Sequence, residues 1–477
     1  MQKKSIWLKD FSNSITTLDK DISCDVLIIG AGITGLSTAY HLIDHNLKIV
    51  VVERNEIGSG VTSKTTGKIT YLQELIYTKL KQEIDEKTSK KYLKSQLEAI
   101  AILTNIIKKE NIDCDLEQVK SFVYSKDEKE LSKLKQEKEL LEKFGVEVKD
   151  YNKAIAVDDT YVFHPLKYLM KLKEILLKNK VEIYEKTNII EIKKEESYIC
   201  LTEKYQIKAK KVILACHYPF FIFPLIFPIK CHLEKSYIAT IKNKNRKMSM
   251  ITTKIPTTSL RYHLDNMIYL NSSHPISTKN DEKDNFNNLI NQTKKLGKID
   301  YIWSNQDIIT VDSLPIISKI TDDLLIGTGY NTWGMTNGTL AGKILSDIVL
   351  NRPNEFIELF SLKRHKSLNS FKNTLVEIIR NGKSFTVNKI IKDKSWYQEK
   401  LYFTKKDGKD IAIYIDENNK KHIVYNKCPH LKCSLIFNEF EKTWDCPCHG
   451  SRFDYMGHVI DNPTMEDLKY DSITEYE

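Results

Sequence analysis

The stretch Cys24–Glu53, CDVLIIGAGITGLSTAYHLIDHNLKIVVVE, decides how the first part of the chain folds. Cys24 to Ile29 is a short apolar run and reads as a strand. Gly30-Ala31-Gly32-Ile33-Thr34-Gly35 follows as a G-x-G-x-x-G turn; a helix is expected from about Thr34 to Asn46, and Lys48 to Glu53 reads as a second strand ending on an acid. Together these make a βαβ start of the dinucleotide-binding kind. Gly30 permits the tight turn, Gly32 lets backbone N–H groups approach a pyrophosphate, and Gly35 lets the helix pack against the strand. The helix N-terminus adds partial positive charge for the phosphates. Glu53 is placed to accept hydrogen bonds from an adenosine ribose.

The motif alone leaves FAD and NAD open. A second small-residue loop, Gly58 to Lys68 (GSGVTSKTTGK), comes soon after the acid. Here the chain resembles the flavin oxidoreductases of the D-amino-acid oxidase (glycine oxidase-like) superfamily, whose members carry such a loop against the flavin pyrophosphate and ring. Lys211 to Cys216, KVILAC, is similar to the strand that closes their FAD domain, with Cys216 standing where Thr followed by Gly is frequent. Asp312 to Ile316, DSLPI, with Leu325 to Gly329 and Gly334-Met335-Thr336, is similar to their C-terminal flavin-contacting segment. The resemblance covers roughly residues 20 to 350. It implies FAD as cofactor. Gly30, Gly32, Ile33, Thr34, Gly35, Glu53 and Arg54 would hold it at the first turn, Thr62, Thr66, Gly67 and Lys68 at the second loop, and Gly327, Gly329, Gly334, Met335 and Thr336 near the C-terminal side. Gly327-x-Gly329 is not followed by an acid-ended βαβ unit, so no separate NAD(P)H domain is expected.

Of nine cysteines, five are scattered, whereas Cys428, Cys433, Cys446 and Cys448 fall within 21 positions, which suggests a metal. Cys428-x-His430, fifteen residues, then Cys446-x-x-His449 is the ligand order of a Rieske-type [2Fe–2S] cluster, with two thiolates on one iron and two imidazoles on the other. Zinc takes the same four donors, although zinc fingers of that class pair Cys with Cys and His with His. The surrounding CPHLKC, WDCPCHGSRFD and Pro463 resemble a Rieske domain. That resemblance implies a Cys433–Cys448 disulfide bracing two cluster loops, and a Ser451 hydroxyl donated to a cluster sulfur. Phe453 stands where high-potential members carry a Tyr, so a potential in the lower or middle part of about −150 to +300 mV is expected. Lys432 replaces a Gly common in that loop and offers charge to an acidic partner. A ring-hydroxylating oxygenase is not expected: the Rieske segment comes last, and no two-His, one-carboxylate triad is evident.

At 477 residues the chain holds two to three domains. The expected fold is an α/β FAD-binding Rossmann-like domain with an α+β substrate domain, plus a C-terminal all-β Rieske domain. Residues 1–350 form the oxidoreductase, with FAD-binding parts at about 20–75, 150–232 and 305–350 and substrate or helical parts at about 76–149 and 233–304. A helical linker at 351–385 leads to the Rieske domain at 386–477. The net charge of +10 is spread along the length, which argues against nucleic acid and suits an acidic redox carrier. Tyr218–Ile229, YPFFIFPLIFPI, is too short and proline-broken to span a bilayer; it reads as a buried turn-rich segment, or else as a docking patch. No transmembrane span is expected, and the cytoplasm is the default location.

A flavin that accepts two electrons beside a cluster that carries one suggests an electron splitter. The expectation is an FAD-dependent dehydrogenase that oxidises an amine or amino-acid-like small molecule and passes electrons to an external carrier. Lys68, Trp333 and Tyr330 are the catalytic candidates, with His217 and Tyr218 at a strand end facing the cofactor. An NAD(P)H-linked reductase and a non-catalytic redox sensor are the alternatives.

Overall fold

The computed structural model describes residues 1–9, 11–125, 127–218, 230–244, 246–253, 257–276, 282–364, 400–406 and 408–468. The expected docking patch falls almost wholly on 219–229, outside the described residues, as does most of the expected linker.

The nucleotide half is built on a sheet in the order β16 (Ile316–Lys319), β17 (Leu324–Thr328), β10 (Gln206–Leu214), β1 (Ile22–Ile29), β2 (Ile49–Val52) and β7 (Glu182–Tyr184). Strands β17, β10, β1, β2 and β7 run parallel. Their apolar runs are buried on both faces, as a covered parallel sheet requires. Helix α1 (Ile33–Tyr40) is buried throughout and ends earlier than expected: a 3₁₀ turn at Ile43–His45 follows, and Asn46 turns left-handed (φ 48) to enter β2. Helix α7 (Gly334–Val349) packs on α1 through small residues. A Cβ at Gly342 would stand 2.4 Å from that of Ser37, so only glycine lets the two helices meet this closely.

The second sheet runs β15 (Ile299–Thr310), β11 (Cys231–Lys242), β14 (Asn266–Pro275), β13 (Thr258–His263), β12 (Met248–Thr252), β4 (Glu117–Tyr124), β6 (Ala154–Val162) and β3 (Lys68–Ile69). Two expectations change. Residues 76–148 give helices α2 (Ile76–Glu83), α3 (Glu86–Lys109) and α4 (Glu128–Lys143), but β4 lies between them because Val119, Ser121 and Val123 bury one face at period two. Helix α6 (Glu282–Thr293) interrupts residues 235–311, which read from the sequence as strand-like runs alternating with polar loops, and buries Phe286, Leu289 and Thr293 on one side. Strands β3 and β6 and the Cys231–Thr310 end of the β11–β15 pair belong to this second sheet.

The C-terminal domain has two small sheets, β18 (Leu401–Lys406) to β20 (Lys421–Tyr425) and β21 (Ile436–Asn438) to β24 (Val459–Asp461), around its own core of Ala412, Val424, Trp444 and Phe453. Of the expected helical linker, the described part contains the short helix α8 (Ile357–Phe360) and ends at Arg364, whose guanidinium grips Asp312 with two bonds of 2.6 Å.

The two bodies meet across β11 and β15. Leu233, Lys235 and Tyr237 point one way, together with Ser304 and Gln306 of the paired strand, and the C-terminal domain covers that face. Lys235, 1% exposed, contacts Glu282 (2.8 Å), Asp445 (2.9 Å) and Glu441 (3.3 Å). Burial opposes its charge, but Asp445, Glu441 and Glu282 hold its pKa above the ordinary lysine value. Arg452 bridges Glu441, Asp445 and Asp461, and Phe440 stacks on Phe286 of α6. Lys235→Ala removes one cation from this buried network and is expected to cost about 3–5 kcal/mol. The readouts are a lowered thermal transition and faster proteolytic release of the C-terminal domain; an unchanged transition would show that the network does not hold the domains together.

Candidate functional site

The glycine turn after β1 forms a cradle. Gly30 has φ 109, and a Cβ there would lie 2.5 Å from the Ala215 carbonyl oxygen at the end of β10. A Cβ at Gly35 would fall 1.9 Å from the Gly30 carbonyl oxygen, so the helix begins against the turn itself. Glu53 is half-buried and accepts hydrogen bonds from the N–H groups of Ala31 and Asn55, both at 3.0 Å. Burial raises its pKa even against those bonds. Thr62 Oγ1 accepts the Ile33 N–H at 3.3 Å, tying the second loop onto the first turn of α1. Neither α1 nor α7 is capped by the side chain before it, which suits helix N-termini that bind phosphate and ring oxygens. The donor set therefore fits FAD.

A cavity of about 910 Å³ opens between the α7 N-terminus and the second sheet. Thr66, Lys68, Trp333, Gly334 and Met335 line it, together with Glu74 and the inward faces of β11 and β15. Lys68 is buried, and its Nζ donates to the Met250 carbonyl (2.9 Å) and Ser259 Oγ (2.5 Å). Burial, then the nearby Arg261, push its pKa down to about 7. Arg261 itself is fully buried and donates to the Gly67 carbonyl oxygen at 2.8 Å, fixing the second loop.

The sequence candidates separate into groups. Gly327, Gly329 and Thr336 support the lining from behind: Gly329 has φ 71, and Thr336 donates to the Trp333 carbonyl oxygen. The Tyr330 hydroxyl is bonded to Thr34 Oγ1 at 2.8 Å, which makes it a brace of the glycine turn. Arg54 is placed differently from expectation. Its guanidinium donates to Asn462 Oδ1 (2.6 Å) and the Ile460 carbonyl (2.8 Å) of the C-terminal domain, so its side chain is committed to the domain contact. Lys64 of the second loop pairs with Asp461 at 3.3 Å. Burial opposes the Asp461 charge, but Lys64, Arg452 and Arg54 hold its carboxyl down to about 2. His217 lies half-buried near the same pair, and desolvation lowers its pKa to about 4. Glu74, Glu234, Ser236, Asn305 and Asp307 were not singled out from the sequence; the alternation in Glu234-x-Ser236 and Asn305-x-Asp307 was the available signal.

In the C-terminal domain two loops bring four donors together. Cys428 and Cys446 are buried with their thiols hydrogen-bonded to each other. That bond, then the backbone N–H of His430 and the Ser451 hydroxyl, hold the Cys428 thiol below its ordinary pKa although burial opposes this. The His430 and His449 rings stand 5.2 Å apart, edge to face. His430 Nε2 and His449 Nδ1 are buried without a partner, and burial lowers the His449 pKa to about 4, keeping the imidazole neutral as a ligand must be. Two thiols and two unpartnered imidazoles fit a Rieske cluster. Cys433 and Cys448 form the expected disulfide, and their sulfurs lie within 4.8 Å of that of Cys446. Lys432 has φ 59, a left-handed backbone that explains why glycine suits the position.

Comparisons identify both domains. Residues 25–348 match the FAD dependent oxidoreductase family and residues 387–474 the Rieske [2Fe-2S] domain. A Bacillus subtilis protein described as a Rieske 2Fe-2S iron-sulfur protein, YhfW, is 30% identical over 96% of this chain and 95% of its own. Gamma-glutamylputrescine oxidoreductase of Escherichia coli is 24% identical over 70% of this chain and 85% of its own. The fold is that of glycine oxidase from Geobacillus kaustophilus, with a TM-score of 0.60 at 15% identity over 72% of this chain and 99% of that one. L-amino acid deaminase from Proteus vulgaris gives 0.61 at 17% identity over 74% and 100%. Among the described residues no helix is long and apolar enough to cross a membrane.

The two cofactor sites should fail independently. Cys446→Ala is expected to lose iron while flavin absorbance remains, and Gly30→Ala to lose flavin while iron remains; iron and zinc analysis with absorbance spectra checks both. Phe453 is fully buried and has no hydroxyl to give, so a redox titration should place the cluster in the lower or middle part of about −150 to +300 mV. A midpoint at the top of that range would show another donor at work.

Proposed function

The chain belongs to the FAD-dependent oxidoreductase family and carries a C-terminal Rieske [2Fe–2S] domain, and from this we propose an FAD-dependent dehydrogenase that oxidises an amine or amino-acid-like small molecule and delivers electrons through the cluster to an external carrier. The observation that carries the reading is the two-faced β11–β15 wall. Its inward residues line the cavity, while on its other face Leu233 and Gln306 lie against Gly450, next to the ligand His449. One sheet layer therefore separates the place where substrate is handled from the cluster loops. When bound, FAD takes two electrons from a C–H bond beside nitrogen, and the cluster passes electrons on singly.

The chain's own residues bind and orient. The cavity walls exclude water and align the substrate, which is a large part of what such a reaction needs. Trp333 closes the cavity beside the α7 N-terminus. Lys68 holds a proton that it loses as pH rises through about 7, so it presents positive charge to the flavin site below that pH and none above it. The likeness to an oxidoreductase of gamma-glutamylputrescine and the fold of glycine oxidase support the amine or amino-acid class. A dehydrogenase feeding a carrier of this sort fits the cytoplasm.

Anaerobic addition of amines and amino acids, tried singly, is expected to bleach the flavin and then the cluster bands, with slow peroxide formation in air. Bleaching by NADH or NADPH alone would replace this reading with a reductase. Lys68→Met is expected to lower the flavin midpoint potential below pH 7 and to match the parent above about pH 8, because only the protonated side chain carries charge. Equal midpoints at pH 6 would remove Lys68 from the flavin site.

A further inference from the structure

Strand pairing places Glu234 opposite Asp307 and Ser236 opposite Asn305. All four line the cavity, two on each strand, as period-two alternation dictates. Like charges opposite one another on paired strands repel. Glu234 accepts a bond from Ser273 Oγ at 2.5 Å and lies 3.2 Å from His232 Nε2, and Asp307 accepts one from Asn305 Nδ2 at 2.9 Å. Beside the two carboxylates, Ser236 Oγ and Asn305 Oδ1 are buried without a hydrogen-bond partner, on side chains only 4% and 5% exposed. A buried oxygen left unsatisfied next to paired acids is a place for a ligand that brings N–H donors and positive charge. A third acid, Glu74, reaches the same cavity from a left-handed backbone position (φ 57). Burial raises the carboxyls of Asp307 and Glu74 to about 7.

Among the described lining residues, Lys64 pairs with Asp461 and Lys133 with Glu130 at 2.8 Å, Lys68 donates to the neutral Met250 carbonyl and Ser259 hydroxyl, and the charge of Lys79 acts on Glu74. None of these four lysines stands on the β11–β15 wall, where an ammonium group would meet several acceptors.

We propose that the β11–β15 wall is an ammonium subsite and that the substrate is an aliphatic diamine, one amino group of which is held by Glu234, Asp307, Ser236 and Asn305. This rests on the amine-dehydrogenase reading and narrows it. The held group is not the one oxidised; it anchors the chain so that the other end lies in the cavity beside the α7 N-terminus.

The test is an anaerobic titration of the holoenzyme with 1,4-diaminobutane, butylamine and 4-aminobutanoate, followed by the flavin difference spectrum. The diamine should half-saturate at a concentration at least about tenfold lower than either of the others, and Asp307→Asn should reduce that preference to about twofold or less. Equal binding of the three, or preference for the amino acid, overturns the subsite. Should Asp307→Asn not load flavin, Ser236→Ala and Glu234→Gln carry the same comparison, with dithionite bleaching as the check on loading. If no compound reduces the flavin but diamine binding remains dependent on these residues, the subsite stands and the dehydrogenase reading falls.

Discussion

The pleat of two neighbouring strands governs this molecule. In β11 and β15 successive side chains leave opposite faces of one sheet. Cavity chemistry therefore falls on one side and domain docking on the other, with no residue serving both. Glu234 and Ser236 look inward, whereas Leu233 and Lys235 look outward. A slip of one residue in register would bring Lys235 into the cavity and Glu234 against Asp445 and Glu441, so a wrong pairing would be penalised on both faces at once.

The outward face shows how a buried charge network can be tolerated. Two cations, Lys235 and Arg452, are surrounded by Glu282, Glu441, Asp445 and Asp461, which come from α6, from the C-terminal domain and from its last strand. Such networks give little net stability, since desolvation offsets the attraction, but they impose one arrangement. Here that arrangement sets the angle between two bodies, and Lys64 and Arg54 extend it to the second loop of the nucleotide half.

What was legible in the sequence follows from range. The glycine turn and the Cys-x-His, Cys-x-x-His order are local: each is read from residues that touch within a few positions, and both cofactor sites are built on them. The disulfide came from the resemblance to a Rieske domain rather than from spacing. What was not legible is long-range. The guanidinium partners of Arg54 lie some four hundred positions later, where no spacing rule reaches. Strand β4 was hidden because its alternate positions, Gln118, Lys120, Phe122 and Tyr124, mix polar, charged and aromatic side chains and so give no clean alternation. The acids of β11 and β15 belong to no local motif; only the pairing of the two strands shows Glu234 and Asp307 facing each other.

Because β11 serves two masters through alternate residues, the strand can be rewritten one face at a time. Changes at Glu234 and Ser236 alter which molecule the enzyme accepts and leave the docking contacts in place; changes at Leu233 and Lys235 alter how the electron-carrying domain sits and leave the cavity intact. A lineage built this way can diversify its diet without rewiring its outlet, and can change its outlet without losing its diet.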